Sequence, residues 1–311
     1  MPPLVSIIIP CHNAAPWLAE TLASALAQTW PQKEIIVVDD GSTDDSAAVV
    51  RGFAPRGVRL VSQPNAGAAA ARNRGWREAR GDFLQFLDAD DLLAPDKIAR
   101  QVEAAAAGGA DCAYSAAWHR FTRTPAEADQ TPQPLCADLD PLEFALRKFE
   151  RNAMMHPAAW LVPRPLAERA GPWDEALSLD DDGEYFLRVV LAARAVRYVP
   201  DAVSYYRSGL AGSLSGSKSE AAYASAYRSL DLSTRRVLAR ADTPRARRAC
   251  ATALQLFIYE SYPRAAACRR AAAARVAALG GSDLPPPGGP KFRLACRLLG
   301  WRLAKRLALL R

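Results

Sequence analysis

What this chain lacks narrows its class first. Its six cysteines (Cys11, Cys112, Cys136, Cys250, Cys268, Cys296) form no C-x-x-C pair, and only three histidines accompany them. Neither a zinc cluster nor a disulfide framework has support, and a reducing compartment fits best. No run of eighteen apolar residues occurs, so no segment reads as a membrane-spanning helix. The first residues carry no basic stretch, and the apolar run 4–9 is too short for a signal peptide. These absences predict a cytoplasmic protein. No G-x-G-x-x-G comes after the first apolar run, which passes into Pro10-Cys11-His12-Asn13. That excludes a dinucleotide-dependent oxidoreductase. Acid is almost missing from 264–311, where eleven Lys/Arg meet only Asp283. The other 263 residues carry 29 basic and 32 acidic side chains. The basic character belongs to a tail, so no nucleic-acid partner is expected for the main domain.

What is present is an ordinary globular balance. Of 311 residues, 50% are hydrophobic and 23% charged, which excludes whole-chain disorder and sets a prior of one large domain or two. Short apolar runs (4–9, 34–38, 58–62, 83–87) alternate with helical spacings (16–29, 43–53, 66–80, 95–107). Continuous apolar strands separated by helices predict an α/β fold, a mostly parallel sheet covered on both faces. Ligands in such sheets bind at the carboxyl ends of the strands. Beyond 115 the pattern loosens. A surface loop is predicted over 122–141, then a strand at 158–162, a helix at 184–193 and a strand at 195–199. The Gly/Ser-rich stretch 208–219 reads as a mobile loop that could close as a lid. Residues 216–279 are predicted to be a helical extension, 280–290 (GGSDLPPPGGP) a linker, and 291–311 a separate element. No internal repeat is found.

Three acidic clusters fall where that fold rule points. Asp39-Asp40-Gly41-Ser42 comes directly after the run 34–38, Asp88-Ala89-Asp90-Asp91 directly after 83–87, and Asp180-Asp181-Asp182 just before the helix near Glu184. A turn or an N-cap accounts for any one of them alone. Two such clusters at the ends of one parallel sheet repel each other unless a cation binds. A divalent metal carrying an anionic diphosphate is the economical answer.

The segments VSIIIP (5–10), VVDDGSTD (37–44), NAGAAAARNRG (65–75) and FLDADD (86–91) together resemble family 2 glycosyltransferases. That resemblance covers roughly 4–215. It implies a GT-A fold with a nucleotide-sugar half (1–92) and an acceptor half (93–215), a nucleotide-diphosphate sugar donor, and inversion at the anomeric carbon. It further implies that Asp39 accepts from the nucleobase, suiting uracil or thymine, with Pro10 and Asn13 edging the pocket. Arg72 would approach the base and phosphates. Asp90 would bind Mn2+ or Mg2+ directly, with Asp88 on the ribose or a metal-bound water, and Asp91 would cap the next segment of chain. The stretch WDEALSLDDDGEYFLR (173–188) is similar to the family's base segment, with Asp181 in place of the usual Glu and Asp182 as general base. His156, Trp173 and Asp181 are the weaker candidates for the acceptor side. One departure stands out: Tyr206-Arg207-Ser208-Gly209 lacks the His of the family's Y-R-x-H pattern.

In the tail, Phe292, Cys296, Leu299, Leu303, Leu307 and Leu310 fall along one stripe of a continuous helix, with the basic residues off it. Such a helix lies on an anionic membrane surface or packs on the body with a solvated basic face. The expectation is therefore a metal-dependent inverting glycosyltransferase, peripheral on the inner face of the membrane. It would move one sugar from a UDP- or dTDP-sugar to a saccharide or lipid-linked glycan in surface polysaccharide assembly. The alternatives are transfer to a polyprenyl phosphate and a catalytically inactive nucleotide-sugar-binding module.

Overall fold

Four parallel strands carry the first half of the chain. The computed structural model describes residues 2–210 and 216–309, so residues 211–215 of the predicted 208–219 loop, and Leu310 and Arg311 of the tail, lie outside the described residues. Strand β1 (Val5–Cys11) is buried along its whole length, because its residues face helices on both sides of the sheet. Ile8 enters one hydrophobic cluster with Leu84 and Phe86, while Ile7 and Ile9 enter the other with Leu18 and Leu22. This is the two-residue alternation of a strand serving two cores. Strands β2 (Lys33–Asp40), β3 (Val58–Gln63) and β4 (Phe83–Phe86) pair parallel with it in the order β3-β2-β1-β4. Helices α1 (Ala15–Leu26), α2 (Ser46–Phe53) and α3 (Ala68–Glu78) make the crossovers. Each expected strand and helix of this half exists, with ends moved by up to three residues.

The second half is more regular than the sequence suggested. It adds β5 (Leu92–Leu93), α4 (Lys97–Gly108), β6 (Cys112–Phe121), α5 (Pro141–Arg151), β7 (Trp160–Pro163), α6 (Arg164–Ala170), α7 (Asp181–Ala192) and β8 (Ala195–Arg207). The full sheet runs β3-β2-β1-β4-β7-β6-β8-β5, with β7 and β5 antiparallel to their neighbours. It is a mixed sheet with helices on both sides. The predicted 122–141 loop ends at a capped helix: Asp140 accepts from Leu142 N at 2.8 Å, and Pro141 opens α5. Strand β8 runs eight residues past the expected end at 199. Pro200 is tolerated because the β6–β8 register slips between Ala116 and Ala117, where Val199 gives way to Val203.

Helices α8 (Glu220–Arg240), α9 (Pro244–Ser261) and α10 (Ala266–Ala278) form the expected extension. Val237, Ala246, Ala249 and Cys250 share a core with Ala145, Phe149 and Leu187, so the extension is packed onto α5 and α7. The tail departs from a single helix. Gly300, at φ +76°, divides it into α11 (Pro290–Leu299) and α12 (Trp301–Leu309). Among the described residues no helix is long and apolar enough to cross a membrane.

One glycine fixes how closely α3 lies on the sheet. A Cβ at Gly75 would collide with Ile8 Cγ2 and stand 3.2 Å from Val38 Cγ2. Gly75→Ala is therefore expected to cost about 1–3 kcal/mol by overpacking, read as a lowered denaturant midpoint. An unchanged midpoint would mean that α3 can lift off the sheet freely.

Candidate active site

The end of β2 places Asp39 beside Cys11, its register partner on β1. Asp39 is nearly buried and accepts from Ser42 N at 3.2 Å. Its neighbour Asp40 is a structural group that the sequence pattern did not single out. It accepts from Gln63 Nε2, Ala66 N and Gly67 N, each at 2.8 Å, and so holds the loop entering α3. Gly41 makes the turn at φ +69°, where a Cβ would meet Asn65 N at 2.8 Å. Asn13 sits in the left-handed region, and its Oδ1 accepts from Thr43 N at 2.8 Å and Asp44 N at 3.3 Å. The Asn13 side-chain carbonyl is thus committed to shaping the 42–44 turn next to Asp39. Pro10 is buried opposite Val38.

Helix α3 delivers Arg72 to the ends of β4 and α7. Its guanidinium donates to Asp88 Oδ1 at 2.7 Å and to Asp181 Oδ2 at 2.6 Å. It lies 4.5 Å above the Trp173 ring. Burial opposes its charge, but Asp88, Asp181 and the nearby Asp182 hold it firmly protonated. Asn73 locks the same junction: Nδ2 donates to the Trp173 carbonyl at 3.0 Å and to Glu175 Oε1 at 2.8 Å, while Oδ1 accepts from Trp173 N at 2.9 Å. Two of the weaker acceptor-side candidates thereby find other work. Trp173 is buried, stacked on Tyr185 at 4.0 Å, and has no face open to a sugar. Asp181 is tied to Arg72.

The third cluster is set by Asp180, which takes the left-handed conformation at φ +60° and accepts from Ser229 of α8 at 2.6 Å. A Cβ at Gly183 would collide with Asp180 Oδ1, so a larger residue there would have to displace the Asp180 carboxylate from Ser229. Asp182 then lines a narrow cleft with Lys148, Met155, Trp160 and Phe186. Burial pushes its carboxyl up to about 7, helped by Asp181 and Asp180.

In the β4 cluster the three carboxylates have different partners. Asp91 does not cap the next segment as expected, because it is fully buried. Its Oδ2 accepts from His156 Nδ1 at 2.8 Å and its Oδ1 from Arg207 N at 2.9 Å. Burial drives His156 down to about 3, so the ring is neutral, hydrogen-bonded at Nδ1 to Asp91 and at Nε2 to the Ser204 hydroxyl (2.9 Å). His156 therefore stands behind the metal-ligand candidate and out of reach of an acceptor. Arg207 lies between the rings of Trp17 and Phe121, and donates to the Asp90 carbonyl at 2.9 Å and to Glu20. In sequence, the signal for Arg207 is its place in Tyr206-Arg207-Ser208-Gly209, at the position of the family's Y-R-x-H pattern.

Asp90 is the exception. Its carboxylate takes no hydrogen bond from another residue among those described. Burial, with Asp91 and Asp88 adding repulsion, pushes it up to about 7. Among the described residues no three His, Cys, Asp or Glu side chains are grouped as a metal cage. A carboxylate with no ion pair among the described residues nevertheless fits the oxygen chemistry of Mg2+ or Mn2+, which take one or two carboxylates and fill out the shell with phosphate and water.

Residues 6–162 match the model of glycosyl transferase family 2, half of the chain, and the chain belongs to that family. It is 30% identical over 214 residues to the uncharacterized glycosyltransferase EpsJ of Bacillus subtilis, covering 67% of this chain and 62% of EpsJ. It is 38% identical over 104 residues to the putative teichuronic acid biosynthesis glycosyltransferase TuaG of the same organism, covering 32% of this chain and 41% of TuaG. The chain thus spans less than two thirds of the length of these relatives. The fold superimposes on Staphylococcus aureus TarS 1-349 in complex with UDP-GlcNAc with a TM-score of 0.70 at 17% identity, over 97% of this chain and 90% of that one. It also superimposes on the mannosyltransferase PcManGT of Pyrobaculum calidifontis in complex with GDP-Man and Mn2+, with a TM-score of 0.55 at 20% identity, over 99% and 87%. At these identities the structural matches establish the GT-A fold.

Arg72 binds the two clusters together, and its removal leaves two carboxylates facing each other. Arg72→Ala is expected to cost about 2–3 kcal/mol, somewhat under the usual cost of breaking a buried pair because the Asp88 side chain stays 27% exposed. Arg72→Lys should recover only part of that, since an ammonium cannot fork between Asp88 and Asp181. Chemical denaturation of the three proteins checks this, and equal stability of Lys and Arg would contradict the bidentate role.

Proposed function

We propose that this family 2 enzyme moves one sugar from a UDP- or dTDP-sugar to a hydroxyl of a saccharide or lipid-linked glycan, inverting the anomeric carbon. The observation that carries the reading is Arg72, which joins Asp88 at the donor end of the sheet to Asp181, the neighbour of Asp182. Asp39, at the end of β2, accepts the N3–H of uracil or thymine, a donor that cytosine lacks. Asp88 takes the ribose or a metal-bound water. Asp90 holds the divalent ion, Mn2+ or Mg2+, which when bound offsets charge on the diphosphate.

Asp182 performs the proton transfer. As the acceptor oxygen attacks C1, its proton passes to the Asp182 carboxylate and the C1–O bond to the diphosphate breaks on the opposite face. A carboxyl titrating near neutral pH is well matched to this task, because a large share of it is ionised at working pH and that share is basic enough to pull the proton. Bacterial surface polysaccharide is the favoured product, a reading supported by the name that TuaG carries. The basic, leucine-faced α11–α12 segment would hold the enzyme at the inner face of the membrane, where lipid-linked acceptors are found.

Asp182→Asn is expected to lower transfer by about 10²–10⁴-fold while leaving nucleotide affinity unchanged. The sign of the pH effect comes from the active form being the carboxylate. In the wild type the rate falls as pH drops through about 7, and that acidic limb disappears in the Asn variant. Proton NMR of the product gives the anomeric outcome. Full activity in Asp182→Asn would overturn the base assignment and favour an already anionic acceptor such as a polyprenyl phosphate.

A further inference from the structure

The tail docks on the body by one face and leaves another uncovered. Trp301 packs edge-on against Tyr259 and Tyr262, at 5.0 and 5.1 Å between ring centres, and Ala304 is buried beneath it. Lys305 Nζ donates to the carbonyls of Tyr259 and Glu260 at the end of α9. Turned away from this contact are Leu294, Leu298, Leu299, Leu303 and Leu307, between 46% and 75% exposed, while Leu309 stands beside Tyr259 and Trp301. Residues 284–309 carry six Lys/Arg and no acid, and of the six only Lys305 is spent on the α9 carbonyls. So many exposed leucines on two short helices form an interaction surface, and charge selects its partner: the face suits an anionic headgroup layer.

Behind the leucines lies a cavity of about 290 Å³, bounded chiefly by Tyr259, Pro286, Pro287, Phe292, Trp301 and Leu309. It exists because Gly300 breaks the helix, which folds α12 back under the proline linker, and because Tyr259 pins that linker by donating its hydroxyl to the Leu284 carbonyl at 3.0 Å. Its size is at the lower limit of small-ligand pockets, roughly 300 Å³. Aromatic rings and proline faces supply most of the wall, and the one ammonium at the rim, Lys305, already serves the α9 carbonyls. Such walls solvate a hydrocarbon well and a polar ligand poorly.

We propose that this cavity takes one acyl chain of an anionic phospholipid, drawn from the membrane on which the α11–α12 leucines lie. The proposal rests on the membrane-surface reading of the tail and adds to it a discrete lipid site. The chain enters past Leu309, the phosphate meets the surrounding arginines, and the bound lipid fixes how α12 sits on the membrane.

The test uses the full chain in two arms. Flotation with phosphatidylcholine vesicles, with and without phosphatidylglycerol, reads surface binding. Calorimetry with dihexanoyl-phosphatidylglycerol below its micellar concentration reads the cavity alone. The wild type is expected to float with the phosphatidylglycerol vesicles and to bind one short-chain lipid. Ala308→Trp, an exposed helix position lining the cavity, should weaken short-chain binding by about tenfold or more while floating as before. Phe292→Ala, which enlarges the cavity, should shift preference toward a longer chain. Failure of the wild type to bind the short-chain lipid, or unchanged binding in Ala308→Trp, would overturn the cavity proposal even with flotation intact. Loss of flotation in the wild type would instead overturn the membrane reading beneath it.

Discussion

Two carboxylates from distant parts of the chain, Asp88 and Asp181, close on the single buried guanidinium of Arg72, and the site depends on that contact. Without it, the acidic ends of β4 and α7 would repel across a poorly hydrated junction. With it, one side chain on α3 sets the spacing between Asp88 and the α7 carboxylates Asp181 and Asp182. The rest of α3 is arranged to hold that side chain still. Gly75 lets the helix lie against Ile8, Asn73 fastens it to the backbone of Trp173, and the Trp173 ring supports the guanidinium from below. Charge, close packing and a hydrogen-bonded amide thus converge on one element.

A second frame lies behind the β4 carboxylates. Arg207 reaches the Asp90 carbonyl and the Asp91 carboxylate from the end of β8, and neutral His156 completes the Asp91 shell from the segment before β7. These contacts tie down the surroundings of Asp90 while leaving its own carboxylate without a hydrogen-bond partner from another described residue. The hydrogen bonds fall on the Asp91 side chain and the Asp90 backbone, so they fix where the Asp90 side chain starts. The helical extension contributes at a distance: Ser229 of α8 holds Asp180 in its left-handed turn, so α8 takes part in aiming Asp182.

The first half of the fold was legible because its signals are local. Buried parallel strands are continuous apolar runs, and the turns after β2 and β4 announce themselves as Asp-rich. The acidic triads were legible for the same reason. What was hidden depends on pairing between distant residues. Strand β6 mixes small, polar and aromatic residues and becomes a strand only between β7 and β8. The roles of Asp91, His156 and Arg207 arise from contacts spanning 65 and 116 residues, which no spacing encodes. The burial of Trp173 comes from stacking on Tyr185, twelve residues on, a contact that spacing does not encode. In the tail, Gly300 breaks the continuous helix on which the expected stripe depended, a break that periodicity alone passes over.

Everything assigned to the donor side stands on Asp90 being the free carboxylate of a nucleotide-sugar site. The decisive measurement is calorimetric titration with UDP, dTDP, GDP and NAD, in Mn2+ and then in chelator. Binding of UDP or dTDP is expected to weaken in chelator and in Asp90→Ala, with GDP and NAD weak throughout. Nucleotide binding indifferent to both metal and Asp90 would contradict the role assigned to that carboxylate, and binding of NAD alone would contradict the donor assignment itself.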